Sequence, residues 1–198
     1  MSEKRRALVR EQIARAAVRL FAEKGVSATT GADIADAVGI STRTLWRYFP
    51  SKEGCVRPLL TTGLDAMAEH LRSWPPGTRL IDHLEREGLF SEAPSPDERP
   101  MVALIRMTRT EPDLMAVWLQ VHHEAEEVFA RVFAERAGAG PDDLTVRLQA
   151  ATFNAILRVA SERQAGMTEE SEGMGGLIRI ALEKTAAGLG CLDRTVVR

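Results

Sequence analysis

The stretch Thr29–Lys52, TTGADIADAVGISTRTLWRYFPSK, divides into two short helical segments separated by a glycine turn. Ile34, Val38, Ile40 and Leu45 are apolar where two helices crossing at a wide angle need contacts, and Ala35 is small where the second helix must approach. Gly39 permits a turn with positive φ. Ser41 is a good N-cap for the second segment, and Pro50 ends it after Phe49. The spacing is that of a helix-turn-helix, whose second helix lies in the major groove of DNA with its N-terminal, outward residues against base edges and phosphates.

Those outward residues are Ser41, Thr42, Arg43, Thr44 and Arg47. Arg43 has the reach and fork geometry for a guanine, whereas Thr42 and Thr44 suit a thymine methyl or a phosphate. Tyr48 and Lys52 are expected to clamp the DNA backbone, as are the amides and hydroxyls of Thr29 and Thr30 at the start of the preceding helix. Trp46 has two readings, packing on the first or fourth helix or stacking beside a sugar-phosphate. Ile34, Val38, Leu45 and Phe49 are core residues without a contact role, and Arg10, Arg15 and Arg19 read as a solvated face in preference to the alternative, a DNA surface.

Charge is divided along the chain in the same sense. Residues 1–60 carry 11 basic and 6 acidic side chains, residues 61–198 carry 15 basic and 22 acidic ones, so a basic head precedes an acidic body despite a net charge of −2. A content of 44% hydrophobic and 27% charged residues is ordinary for a soluble globular protein. The start, MSEKRRALVR, lacks a following apolar stretch of signal-peptide length, and no apolar run approaches a membrane span; the expected location is the cytoplasm. Cys55 and Cys191 have no metal-ligand spacing and are expected to be ordinary thiols, so neither a metal nor a cofactor is expected.

Period-two alternation is absent and helical periodicity runs throughout, which predicts an all-α chain. Val9, Ile13, Ala17, Leu20 and Phe21 define a first amphipathic helix closed by Gly25. After the helix-turn-helix, a fourth helix opens near Ser51–Glu53 and runs to Leu71, with Pro58 a kink or an early-turn residue, until SWPPG at 73–77 ends it. A short helix at 78–88, a proline-rich loop at 91–100 and helices at 98–109, 111–136, 141–165 and 168–189 complete the pattern. The expected division is a three-helix DNA-binding head at 1–55 and a helical body at 56–198, to which the resemblance described next assigns effector binding and dimerisation.

The segment AVRLFAEKGVSATTGADIADAVGISTRTLWRYFPSKEG resembles the N-terminal signature of the tetracycline-repressor (TetR) family, closely over residues 10–54. Leu20, Phe21, Gly25, Thr29, Thr30, Ile34, Ala35, Gly39, Ser41, Thr44, Leu45, Tyr48, Phe49, Pro50, Ser51 and Lys52 fall on that pattern without insertion. Thr42-Arg43 stands where the family often has a lysine and a small residue, and Trp46 where tyrosine is common, so operator sequence does not carry over. The resemblance implies phosphate contacts at Tyr48 and Lys52. It further implies an all-helical homodimer on a double-stranded DNA operator, joined through its last two long helices, with an effector pocket in the C-terminal domain.

In that domain Leu64, Met67, Met101, Leu104, Met107, Trp118, Phe153 and Leu157 are the expected walls of a pocket for a small lipophilic effector. His122, Asn154 and Arg158 are the polar groups expected to fix the ligand, with Arg106 and Glu126 weaker candidates. Small residues including Ala150, Ala151, Ala155, Gly175, Gly176 and Ala181 suit a dimer interface or, equally, an internal core. No Gly-x-Ser-x-Gly elbow, His-Glu-x-x-His or Walker loop is present, which argues against an enzyme. The alternative to a ligand-responsive repressor is a ligand-insensitive architectural or recruiting DNA-binding protein.

Overall fold

The computed structural model describes residues 3–90, 99–167 and 173–186, and among these every regular element is helical. Helix α1 spans Glu3–Lys24, and its Ile13, Ala17 and Phe21, spaced four apart, are fully or nearly fully buried, as is Ala14 beside them. Gly25 ends it at φ 86°, its amide donating to Phe21 O at 3.0 Å.

Helix α2, Gly31–Ala37, is opened by a capping box: Asp33 N donates to Thr30 Oγ1 at 3.2 Å, while Thr30 N donates to Asp33 Oδ2 at 2.7 Å. Gly39 turns the chain at φ 69°, and Ile40 N donates to Ala35 O at 3.0 Å. Helix α3, Thr42–Tyr48, starts at Ser41, whose Oγ accepts from Thr44 N at 3.2 Å. Each such cap contributes about 1 kcal/mol. Ile34, Ala35, Leu45 and Phe49 from α2, α3 and their junctions bury themselves against α1 in one continuous core.

A 3-10 turn, Glu53–Val56, precedes α4, Arg57–Ser73, so the fourth helix begins later than the sequence suggests and Pro58 sits in its first turn rather than at a kink. Helices α5 (Leu80–Arg86), α6 (Arg99–Thr108), α7 (Pro112–Ala137), α8 (Leu144–Ala165) and α9 (Met174–Ala186) follow. The α4–α5 turn is pinned to the end of α7, where the Arg136 guanidinium lies 3.5 Å from the Trp74 ring centre and donates to Trp74 O at 2.7 Å.

Helix α8 starts at Leu144 instead of 141, because Asp143 is the cap and accepts from Thr145 N and Val146 N at 2.9 and 3.2 Å. Arg99 and Pro100, where the expected loop at 91–100 and the expected helix at 98–109 overlap, belong to α6 as the helix reading has it, a first-turn setting that suits proline; residues 91–98 lie outside the described residues. The last helix is helical at 174–186, and the expected extensions at 168–172 and 187–189 lie outside the described residues, as does Cys191.

Candidate functional site

Helix α3 turns Leu45 into the core and leaves Thr42, Arg43, Trp46 and Arg47 exposed on its other side. Arg43 makes no hydrogen bond or ion pair with any described residue. Arg47 lies 5.8 Å from the ring centre of half-buried Tyr48, and the Arg10 guanidinium from α1 lies 5.4 Å from the Phe49 ring. Ser41 and Thr44 hydroxyls are 2.9 Å apart, so the cap also organises the half-buried Thr44. The result is a short helix with two exposed guanidinium groups, those of Arg43 and Arg47, on one surface of the head.

The threonines before α2 are placed differently from the expectation. Thr29 is 1% exposed, its hydroxyl donates to Gly25 O at 2.8 Å and its amide to Val26 O at 3.2 Å. Neither group is available to a phosphate, and Thr29 is a structural residue. The Thr30 hydroxyl is exposed but donates to Asp33 Oδ2 at 2.6 Å. That hydroxyl and the Lys24 ammonium, 2.9 Å from the same oxygen, hold the Asp33 carboxyl far below the usual carboxylate range.

Lys52 reaches across the head to donate to Val26 O at 2.7 Å and Thr29 O at 2.9 Å. Two of its three donors therefore tie the α1–α2 loop to the segment after α3. Trp46 follows neither packing expectation: its indole covers Gly31 at the start of α2, where any Cβ would collide with the ring, and it stays 44% exposed. Gly31 as a seat for the indole was missed, and nothing in the local pattern signals it.

In the body, Leu64, Met67, Leu104, Trp118, Phe153 and Leu157 are buried in the common core, with Met101 and Met107 half-buried against it. Phe153 packs edge-on to Phe129 and Phe133, with ring centres at 5.2 and 5.9 Å. The polar expectations do converge, on the α7–α8 contact. His122 Nδ1 lies 2.7 Å from Asn154 Oδ1, and the Trp118 ring stands edge-on to His122 at 4.1 Å. Trp118 Nε1 and Arg158 both donate to Glu162 Oε1, at 3.2 and 3.0 Å.

Glu162 was missed, although its place four residues after Arg158 offers an ion pair. Burial pushes the His122 imidazole down from its ordinary value of 6.5, aided by Arg158 and opposed by the Asn154 hydrogen bond and Glu162. Arg106 and Glu126 are committed elsewhere, to Ala165 O at 2.8 Å and to Arg147 at 3.5 Å.

Small residues of α8 and α9 serve two purposes. Ala150 is fully buried in the chain's own core, and Gly175 packs on the backbone of Leu89 and Phe90 so closely that a Cβ would overlap it. The opposite face of α8 carries uncovered apolar side chains: Leu144 is 73% exposed, Leu148 59% and Val159 51%, with Ala155 exposed between them. At 100° per residue these four fall within about 60° of arc.

The signature "Bacterial regulatory proteins, tetR family" matches residues 13–59, and that of the MftR C-terminal domain matches residues 88–190. The HTH-type transcriptional regulator TcmR of Streptomyces glaucescens is 31% identical over 162 residues, covering 77% of this chain and 71% of the relative. A putative mycofactocin biosynthesis transcriptional regulator, MftR, of Mycobacterium tuberculosis is 28% identical over 195 residues, 96% of each chain. In fold, the chain is similar to Thermus thermophilus FadR, a TetR-family transcriptional repressor solved with lauroyl-CoA, at TM-score 0.54 and 20% identity over 96% of this chain and 98% of that one.

Proposed function

The chain belongs to the tetR family of bacterial regulatory proteins, DNA-binding regulators of transcription that are not enzymes, and from that premise we propose that it is a ligand-responsive repressor. Two heads of a homodimer hold a palindromic operator through α3, and a small lipophilic effector in the body releases them. The observation that carries this reading is the exposed pair Arg43 and Arg47 on a helix whose caps and neighbours are fixed internally. Arg43 is assigned to a base edge, and Thr42, Thr44, Arg47 and Tyr48 to base or backbone contacts. Ser41 and Thr30 act as caps at the surface, with Trp46 flanking them.

The uncovered stripe Leu144, Leu148, Ala155 and Val159 supports dimerisation through α8, because apolar side chains in such a row gain most from burial against a second copy. The effector site is assigned to the α7–α8 contact around His122, Asn154 and Arg158, with α4 and α6 as its remaining walls. A link to the head is available: Arg57, the first residue of α4, pairs with Glu124, two residues beyond His122 on α7. An effector that favours one position of α7 thereby biases the start of α4 and the separation of the heads, provided it binds the two states unequally. The division of labour falls near residue 55.

Selection of bound duplexes from a randomised library tests the reading. Enrichment of a palindrome with half-sites about one helical turn apart, or a little more, is expected. Enrichment of a single half-site, or of none, contradicts it.

A further inference from the structure

The α7–α8 contact leaves one atom over. Among the described residues, His122 Nε2 is the buried side-chain nitrogen or oxygen without a hydrogen-bond partner, on a residue only 2% exposed. Its sister nitrogen faces Asn154 Oδ1 at 2.7 Å. A carboxamide oxygen only accepts, so Nδ1 carries the proton and Nε2 keeps its lone pair. The charges nearby are already matched, since Glu162 takes both the Arg158 guanidinium and the Trp118 N–H. A ligand charge of either sign would enter this core without compensation, whereas a neutral donor would satisfy the one acceptor that needs it.

Building on the reading of the body as an effector sensor, we propose that His122 Nε2 is the specificity-determining acceptor of that site. Its effector is an uncharged, largely apolar molecule carrying one hydroxyl or N–H group that donates to this nitrogen. Asn154 is a positioning residue, because its oxygen fixes the tautomer that leaves Nε2 bare. A site built around a buried acceptor discriminates strongly against the same ligand without its donor, as the acceptor is then left unpaired.

The test uses the full chain labelled with nitrogen-15 at histidine. In the ligand-free protein the His122 resonances are expected to show a protonated Nδ1 and an unprotonated Nε2 without a hydrogen bond. A protonated Nε2, or one already in the hydrogen-bonded range because a trapped water holds it, overturns the proposal. The matched probes 4-octylphenol and 4-octylanisole, which differ in the donor, are then titrated. The phenol should move the Nε2 signal upfield and bind at least ~10-fold more tightly than the ether. In His122→Phe this preference should vanish.

Equal binding of the pair, or no response of the Nε2 signal to either probe, also overturns the proposal. Binding of the same samples to a random-sequence duplex separates the two levels. If the ligand-free protein binds no duplex, the repressor reading itself fails. An intact duplex affinity beside an undiscriminated pair sinks only the acceptor assignment.

Discussion

At the scale of single residues, the head is held by groups that resemble DNA contacts in sequence. Lys52 joins two backbone carbonyls across 23 and 26 positions of chain, so Lys52→Ala removes one donor from each, and Val26 O keeps only the Thr29 amide. We expect a loss of about 1–3 kcal/mol in urea unfolding, together with equal weakening on specific and random DNA. Unchanged stability would return Lys52 to a purely DNA-facing role. Thr29 makes the same point. A threonine just before a helix reads as a cap or a phosphate ligand, and only its burial beneath the α1 terminus shows that its hydroxyl is spent on Gly25 O. His122 carries a pH signature. Burial lowers its pKa in the fold, so below the ordinary value of 6.5 the unfolded chain takes up more protons than the folded one, and stability is lost as pH falls. Urea midpoints between pH 8 and pH 5 should drop more steeply for the wild type than for His122→Gln; parallel curves would contradict this.

At the scale of elements, α1 to α3 were legible because each boundary has local chemistry behind it: Gly25 and Gly39 at positive φ, the Thr30–Asp33 box and the Ser41 cap. The start of α8 was misjudged because Pro141, Asp142 and Asp143 all suit a first turn, and the choice among them depends on which carboxylate reaches Thr145 N and Val146 N. Gly175 shows the limit of reading small residues as interface. Its missing side chain makes room for the backbone at Leu89 and Phe90 of the same chain, a contact across 86 positions that no local pattern encodes. The exposed stripe of α8 is where the account places the second copy. Leu148→Glu should put a charge in the centre of that contact and give a folded monomer by sedimentation, with helical circular dichroism unchanged. A variant that still sediments as a dimer would move the interface elsewhere.

At the scale of the whole molecule, one continuous core runs from Ile13 in α1 to Ile178 in α9, with Cys55 and Val56 fully buried where head meets body. Burial pushes the Cys55 thiol up to about 12, so it is a packing residue at that junction rather than a reactive group. In the proposed mechanism, continuity of packing, with the Arg57–Glu124 pair across it, is the route by which an effector near His122 would act on α3. Asn154 and Arg158 share a face of α8 by their spacing of four, whereas the meeting of Asn154 with His122 and the role of Glu162 required knowing that α7 and α8 run side by side. All of this presupposes that α3 reads DNA. Binding of wild type and Arg43→Ala to the selected operator and to a scrambled duplex, across a salt series, tests that most directly. Arg43→Ala is expected to lose about 1–3 kcal/mol on the operator and to relax preference at one base pair per half-site, with a smaller effect on scrambled DNA. An equal loss on both duplexes would make Arg43 a backbone contact, and no loss on either would contradict α3 as the recognition helix.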